Sequence, residues 1–188
     1  MNEYEEYLAD RIRVWVWSGF YSLSDVLEML EDCDEGDEDE ADKQMLEEYA
    51  KSEFQAKREA EAAWPPVTDC NRLDAAFDAL NGMGVIALHN AGYTISDGIS
   101  DVAGVLAESD GDKVKGYCFY HGQDLERAVD GHGLMLAYGD IADTAIGKRQ
   151  IGELVRAELE RRGFVVEWDG DEEKRIDLPR IVWQRRAA

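Results

Sequence analysis

The chain has 188 residues, 45% of them hydrophobic, with 42 acidic against 20 basic side chains and a net charge of −22. That length and composition describe a folded chain able to bury one good core. A field of this sign repels phosphate backbones and anionic lipid surfaces, so neither nucleic acid nor a membrane is an expected partner.

The charge is uneven. Residues 1–66 hold 20 acids and 6 bases, net −14, whereas the remainder holds 22 acids and 14 bases, net −8. No apolar run approaches the roughly 18 residues of a membrane span. The opening MNEYEEYLADR is acidic where a secretory leader would be basic, so a cytoplasmic location is expected. Cys33, Cys70 and Cys118 are odd in number, far apart and without paired spacing, which argues against a disulfide framework or a cysteine zinc site.

In chain order, Leu8, Ile12, Trp15 and Val16 recur at helical spacing and predict an amphipathic helix ending near Ser18-Gly19. Ser22 and Asp25 form a capping-box pattern before a second short helix carrying Val26, Leu27, Met29 and Leu30. The run from Glu31 to Asp42 has nine acids in twelve residues. Its spacing misses the register of a calcium-binding loop, so it reads as a solvated loop or frayed helix end. From Glu38 to Ala63 there is neither proline nor glycine, which predicts a long helix with a thin apolar stripe through Met45, Tyr49 and Phe54. Trp64-Pro65-Pro66 ends it and sets the expected boundary: an acidic helical segment over 1–66 and an α+β domain over 67–188.

The second part opens with a helix capped by Thr68 or Asp69, carrying Leu73, Ala76, Phe77 and Leu80 on one face. Val85 to Leu88 is a short apolar run bounded by glycines and reads as a central strand. A helix follows to about Glu108, then a strand over Tyr117–Tyr120, a short helix over Asp124–Val129, a strand over Leu134–Tyr138 and a long helix over about Thr144–Arg162. Phe164, Val166 and Trp168 alternate as a strand. Arg175 to Trp183 returns as an edge strand broken by Pro179. This order predicts an α+β fold in which the N-terminal helical segment precedes a mixed sheet with helices packed chiefly on one face.

The strings TDCNRLDAAF, ALHNAGYTISDG, GYCFYHGQDLERAV and VEWDGD, with the VWSGF motif at Val16–Phe20, resemble a family of uncharacterised bacterial proteins, a domain of unknown function. The resemblance spans most of the chain and implies homology without supplying an activity. From Leu134 onward the layout is also similar to the family of the ribonuclease E inhibitor, an acidic, non-catalytic α+β regulator. There the strand LMLAYGD, the helix to Arg162 and the turn VEWDG carry the likeness.

The candidate ligand-binding residues cluster after strand ends: His89, Asn90, Tyr93, Thr94 and Asp97 around the Gly92 turn, and His121 with Asp124 after the next strand. Ligands in open α/β sheets gather beyond the carboxyl ends of strands. Two imidazoles and several carboxylates are the raw material of acid-base or metal chemistry, with His89, His121 and Asp97 as the conceivable ligands. The histidines lack the i, i+4 spacing of a zinc motif, and phosphate-loop and serine-elbow signatures are absent. The expectation is therefore no metal and no cofactor, no assigned catalytic residue, and polar side chains that bond loop backbone and cap helices. Recognition is favoured over catalysis: a non-enzymatic protein-binding or regulatory module whose partner is another protein of basic character, bound through the N-terminal helices or the sheet surface. Two alternatives stay open. One is a small metal-binding or hydrolytic enzyme at the Asn90–Asp97 turn near His89 and His121; the other is a structural homodimer through the N-terminal helices.

Overall fold

Local capping and packing build two units in the computed structural model, which describes residues 2–34, 42–109 and 113–187. The first comprises Met1–Thr68 with Trp183–Ala188, and the second Asp69–Val182.

In the helical unit, α1 (Glu3–Ser18) begins at Asn2, whose side chain accepts the Glu5 amide while the Glu5 carboxylate accepts the Asn2 amide. Two amides left open at a helix start are thereby satisfied. The helix stops where Gly19 takes a φ of 79°, a conformation that costs glycine nothing. The Ser22–Asp25 capping box starts α2 (Leu23–Asp34), and the Asp42 side chain caps α3 (Lys43–Glu61) by accepting the Met45 amide. Leu8, Ile12, Trp15 and Val16 are buried together with Val26, Leu30, Leu46 and Ala50, and Met45, Tyr49 and Phe54 pack at the margin. The apolar stripe of α3 thus covers the aromatic face of α1. Of the long helix expected over 38–63, the part from Lys43 to Glu61 is observed; residues 35–41, most of the acidic run, lie outside the described residues. The C-terminal segment belongs to this unit: the Trp183 indole donates to the Ser18 carbonyl at 3.1 Å, and the Arg185 guanidinium lies 4.5 Å over the Phe20 ring.

The second unit is an α+β fold. Its order is α4 (Asp69–Gly82), β1 (Val85–Leu88), α5 (Ile95–Glu108), β2 (Gly116–Phe119), α6 (Gly122–Val129), β3 (Leu134–Asp140), α7 (Ala145–Arg161) and β4 (Ile176–Leu178). The strands lie in the spatial order β1-β2-β3-β4; β1 and β2 are parallel, and the other two pairs are antiparallel. Alternation divides the two sheet faces. A Cβ on Gly116 would meet the Ile151 side chain of α7, whereas Phe119, three positions on, packs with Val102 and against Gly98 of α5. So α7 and α5 cover opposite faces.

Each sheet edge is met at one position. Along β1, the Asn81 side chain accepts the Ala87 amide at 2.9 Å and donates to its carbonyl at 3.2 Å, imitating a neighbouring strand. Along β4, Glu167 and Asp177 exchange backbone bonds at 2.9 and 3.1 Å. The strands expected over 164–168 and 175–183 shrink to that one bridge and to the three residues of β4. Pro179 has no amide to extend the ladder, and the Trp168 indole is drawn to the Asp171 carbonyl at 3.0 Å and edge-on to Tyr138.

Candidate functional site

Because β1 and β2 are parallel, their carboxyl ends emerge side by side, and each feeds a turn into a helix. The turns are stitched together: the Ala91 amide donates to the Tyr120 carbonyl at 2.9 Å, and the Gly122 amide to the Gly92 carbonyl at 2.9 Å. Asn90 sits at a φ of 46° and Gly92 at 56°, the left-handed region that asparagine and glycine tolerate best. A Cβ on Gly122 would fall 2.6 Å from the Tyr93 ring, so glycine there permits the close approach.

Of the seven residues expected to form one site, Asn90 shapes the turn and borders an open cleft of about 440 Å³ with His89, and the other six divide into three groups. Thr94 and Asp97 form the cap of α5. The Asp97 carboxylate accepts the Thr94 amide and hydroxyl, both at 2.9 Å, and the Tyr93 amide at 3.3 Å. The Thr94 backbone bond, then its hydroxyl, holds the Asp97 carboxyl below the usual range. Tyr93 extends outward and its hydroxyl donates to Glu126 at 3.3 Å.

His89 belongs to a second group. Its Nε2 lies 3.3 Å from an Asp74 carboxylate oxygen of α4 and its Nδ1 lies 2.9 Å from the Tyr120 hydroxyl. The Phe77 ring stacks on the imidazole at a centroid distance of 4.4 Å. With its proton on Nε2 the imidazole donates to Asp74 and accepts from the Tyr120 hydroxyl. The chain carboxylate-imidazole-phenol has the order of a proton relay, yet Tyr120 is fully buried, so its hydroxyl meets core atoms rather than a substrate.

His121 and Asp124 form the third group, with Arg175. One Asp124 carboxylate oxygen accepts the His121 amide at 3.2 Å, lies 3.2 Å from the His121 Nε2 and bonds the Arg175 guanidinium. Arg175 also donates to the Met135 carbonyl at 3.0 Å. Both His121 and Asp124 are 4% exposed, and the His121 Nδ1 is buried without a hydrogen-bond partner among the described residues. Burial pushes the His121 pKa down and the Arg175 charge adds to this, while Asp124 and Asp97 oppose it. His121 is accordingly neutral at physiological pH.

These contacts define what the arrangement can do. Helix starts attract anions, but the starts of α5 and α6 already hold their own carboxylates, Asp97 and Asp124. Both nitrogens of His89 are engaged, and the two histidines bond different carboxylates. No group of three or more His, Cys, Asp or Glu placed to hold a metal occurs among the described residues. Cys118 is buried and its thiol is pushed up to about 12 by burial, which suppresses the thiolate a nucleophile needs. His132 is exposed in its turn.

Sequence reasoning missed Asp74 and Arg175. Asp74 lies one turn before Phe77 on α4, and only the packing of α4 against β1 brings it to His89. Arg175 is 51 positions from Asp124 and carries no local signal.

A bare groove lies beside these groups, on the sheet face next to α5. Ile95 and Ile99 of α5 border it with Tyr117, Phe119 and Ala137 of the sheet, and its volume is about 170 Å³. Tyr93, Ile95 and Ile99 are 43%, 45% and 40% exposed.

Comparison with known proteins places the whole chain in one family. The model of a domain of unknown function, DUF6891, matches residues 1–187, and the chain belongs to that family. Neither a curated protein nor a solved structure matches it. No helix among the described residues is long and apolar enough to cross a membrane.

Proposed function

We propose that this member of the DUF6891 family is a non-enzymatic protein-binding module that docks a basic partner segment on the sheet face beside α5. The observation that carries the reading is the row of half-exposed Ile95 and Ile99 over that groove, within a chain of net charge −22. Grouped apolar side chains rimmed by charge mark interaction sites. At about 170 Å³ the groove is smaller than the roughly 300–1,000 Å³ of small-molecule sites, a size that suits one or two anchoring side chains. Glu172 and Glu173 rim it together with Lys174 and Arg175, whose charges are already met by Asp169 and by Asp124, so a segment combining apolar anchors with lysine or arginine complements it. Asn81 and Glu167 each take one position of a sheet edge, which favours docking on the face over strand addition.

A labelled peptide of alternating lysine and leucine, followed by fluorescence anisotropy, tests this reading. It binds the full chain more tightly than oligolysine of equal length and loses affinity as salt rises. The double variant Ile95→Ala, Ile99→Ala weakens it by about tenfold, equivalent to ~1.4 kcal/mol. Equal binding of the two peptides, or no effect of the double variant, would refute docking at this groove. A dimer mass by light scattering that reverts to monomer in the double variant would assign the face to a second copy instead.

A further inference from the structure

We propose that the helical unit carries a second, separate site: a cleft between the 19–22 turn and α3 that binds a small organic anion with a flat apolar body. The cleft has a volume of about 450 Å³, within the roughly 300–1,000 Å³ range of small-molecule sites. Its walls give it two kinds of chemistry. Phe20 and Tyr21 of the turn face it together with Phe54 of α3, and all three are half-buried. Lys51 and Arg58 line it from the same helix, three residues before and four after Phe54, so the three share one side of α3.

The two cations differ in what already neutralises them. Lys51 bonds Glu48 at 2.7 Å and lies 3.8 Å from Glu47. Among the described residues the Arg58 guanidinium bonds the neutral Gln55 side chain at 3.1 Å and no carboxylate. Four guanidinium donors remain, in the planar fork that fits a carboxylate, sulfonate or phosphate.

Asp25, on the α2 wall, fixes the orientation. It accepts the Ser22 amide at 2.7 Å, and bonds from the Ser22 backbone and hydroxyl hold its carboxyl below the usual range. It stays anionic and turns the ligand's charged end toward α3, with the ring left against the aromatic wall. The VWSGF motif has a physical task here. Ser18 closes on the Trp15 carbonyl at 2.6 Å, and a Cβ on Gly19 would fall 2.5 Å from the Arg185 carbonyl. Only this tight turn presents Phe20 and Tyr21 to the cleft.

The probe is 8-anilinonaphthalene-1-sulfonate, a fluorescent arene sulfonate, titrated against the folded full chain; the uncharged N-phenyl-1-naphthylamine serves as the comparison. Salt is a poor discriminator, because it weakens the contact with Arg58 while relieving repulsion from the rest of the chain. Charge and shape variants decide instead. One saturable site is expected for the sulfonate, at least about tenfold tighter than for the neutral analogue. Arg58→Gln abolishes that preference without changing the melting temperature, since the side chain is exposed. Phe54→Ala weakens both probes; if it fails to fold, Tyr21→Ala takes its place. Arg149→Gln, an exposed arginine paired with Glu153 in the other unit, leaves binding unchanged. Equal affinity for the two probes, unchanged affinity in Arg58→Gln, or non-saturable binding would overturn the proposal.

Discussion

Two glycines six residues apart on α5 turn one substitution into opposite outcomes. Glycine inside a helix costs about 0.5–1 kcal/mol relative to alanine, because the unfolded chain is freer. Gly104 follows that rule alone: among the described residues a Cβ there has nothing within 4 Å, so Gly104→Ala stabilises the α+β unit by about 0.5–1 kcal/mol. At Gly98 a Cβ would lie 2.8 Å from two atoms of the Phe119 ring and closer still to a third. Phe119 is fully buried against α5, and its closely packed ring yields only by narrowing the groove it shares with Ile95 and Ile99. Overpacking of a close-packed interior costs about 1–3 kcal/mol, and the rigid neighbour puts Gly98→Ala near the upper end. After subtracting the helix gain, the variant loses about 1–2 kcal/mol, so the pair differs by about 2–3 kcal/mol. Because the chain has two units, hydrogen exchange of the β1 and β2 amides is the appropriate readout, backed by thermal unfolding. Stabilisation by both substitutions would show that α5 does not rest on Phe119, and the account of how that sheet face is covered would fail.

Other consequences rest on the polar groups. Asp124→Ala strands the Arg175 guanidinium and the His121 amide and costs about 3–5 kcal/mol; chemical denaturation with Asp124→Ala, Arg175→Met checks it, since removing both partners recovers part of the loss. His121 has a folded pKa below its ordinary 6.5, so below that value the unfolded chain takes up protons first. Its contribution is intact above about pH 6.5 and is lost as pH falls through the lower folded value. A melting temperature followed down from neutral pH shows the decline, and His121→Gln flattens it; an unchanged slope would remove His121 as the cause. Asp177, whose carboxyl burial pushes up, acts in the opposite sense, favouring the fold as pH falls through that raised value. Asn81→Ala leaves the Ala87 amide and carbonyl without their partner, costs about 1–2 kcal/mol and speeds exchange at Ala87. If exchange there does not change, the side chain is not closing that edge.

Much of the molecule is written locally. The helices of the first unit follow from caps such as Ser22–Asp25 and from periodic faces such as Leu8, Ile12 and Val16. Val85–Leu88 is a strand because its apolar run is too short for a helix, and Thr94–Asp97 is a cap because its donors and acceptors lie three residues apart. The α+β class follows from the order of these elements. Other features required the chain to fold. Nothing near Asn81 in sequence says that it will stand in for a missing strand. His89 and His121 looked like partners because both end a strand, yet packing gave one to Asp74 of α4 and Tyr120, and the other to Asp124 and Arg175. The tail from Trp183 carries no sign that it belongs with the helical unit. Caps and periodicity depend on atoms a few bonds apart, so sequence alone determines them. Which carboxylate reaches an imidazole depends on how helices and strands stack, a competition among burial energies across the chain that no short stretch of residues encodes.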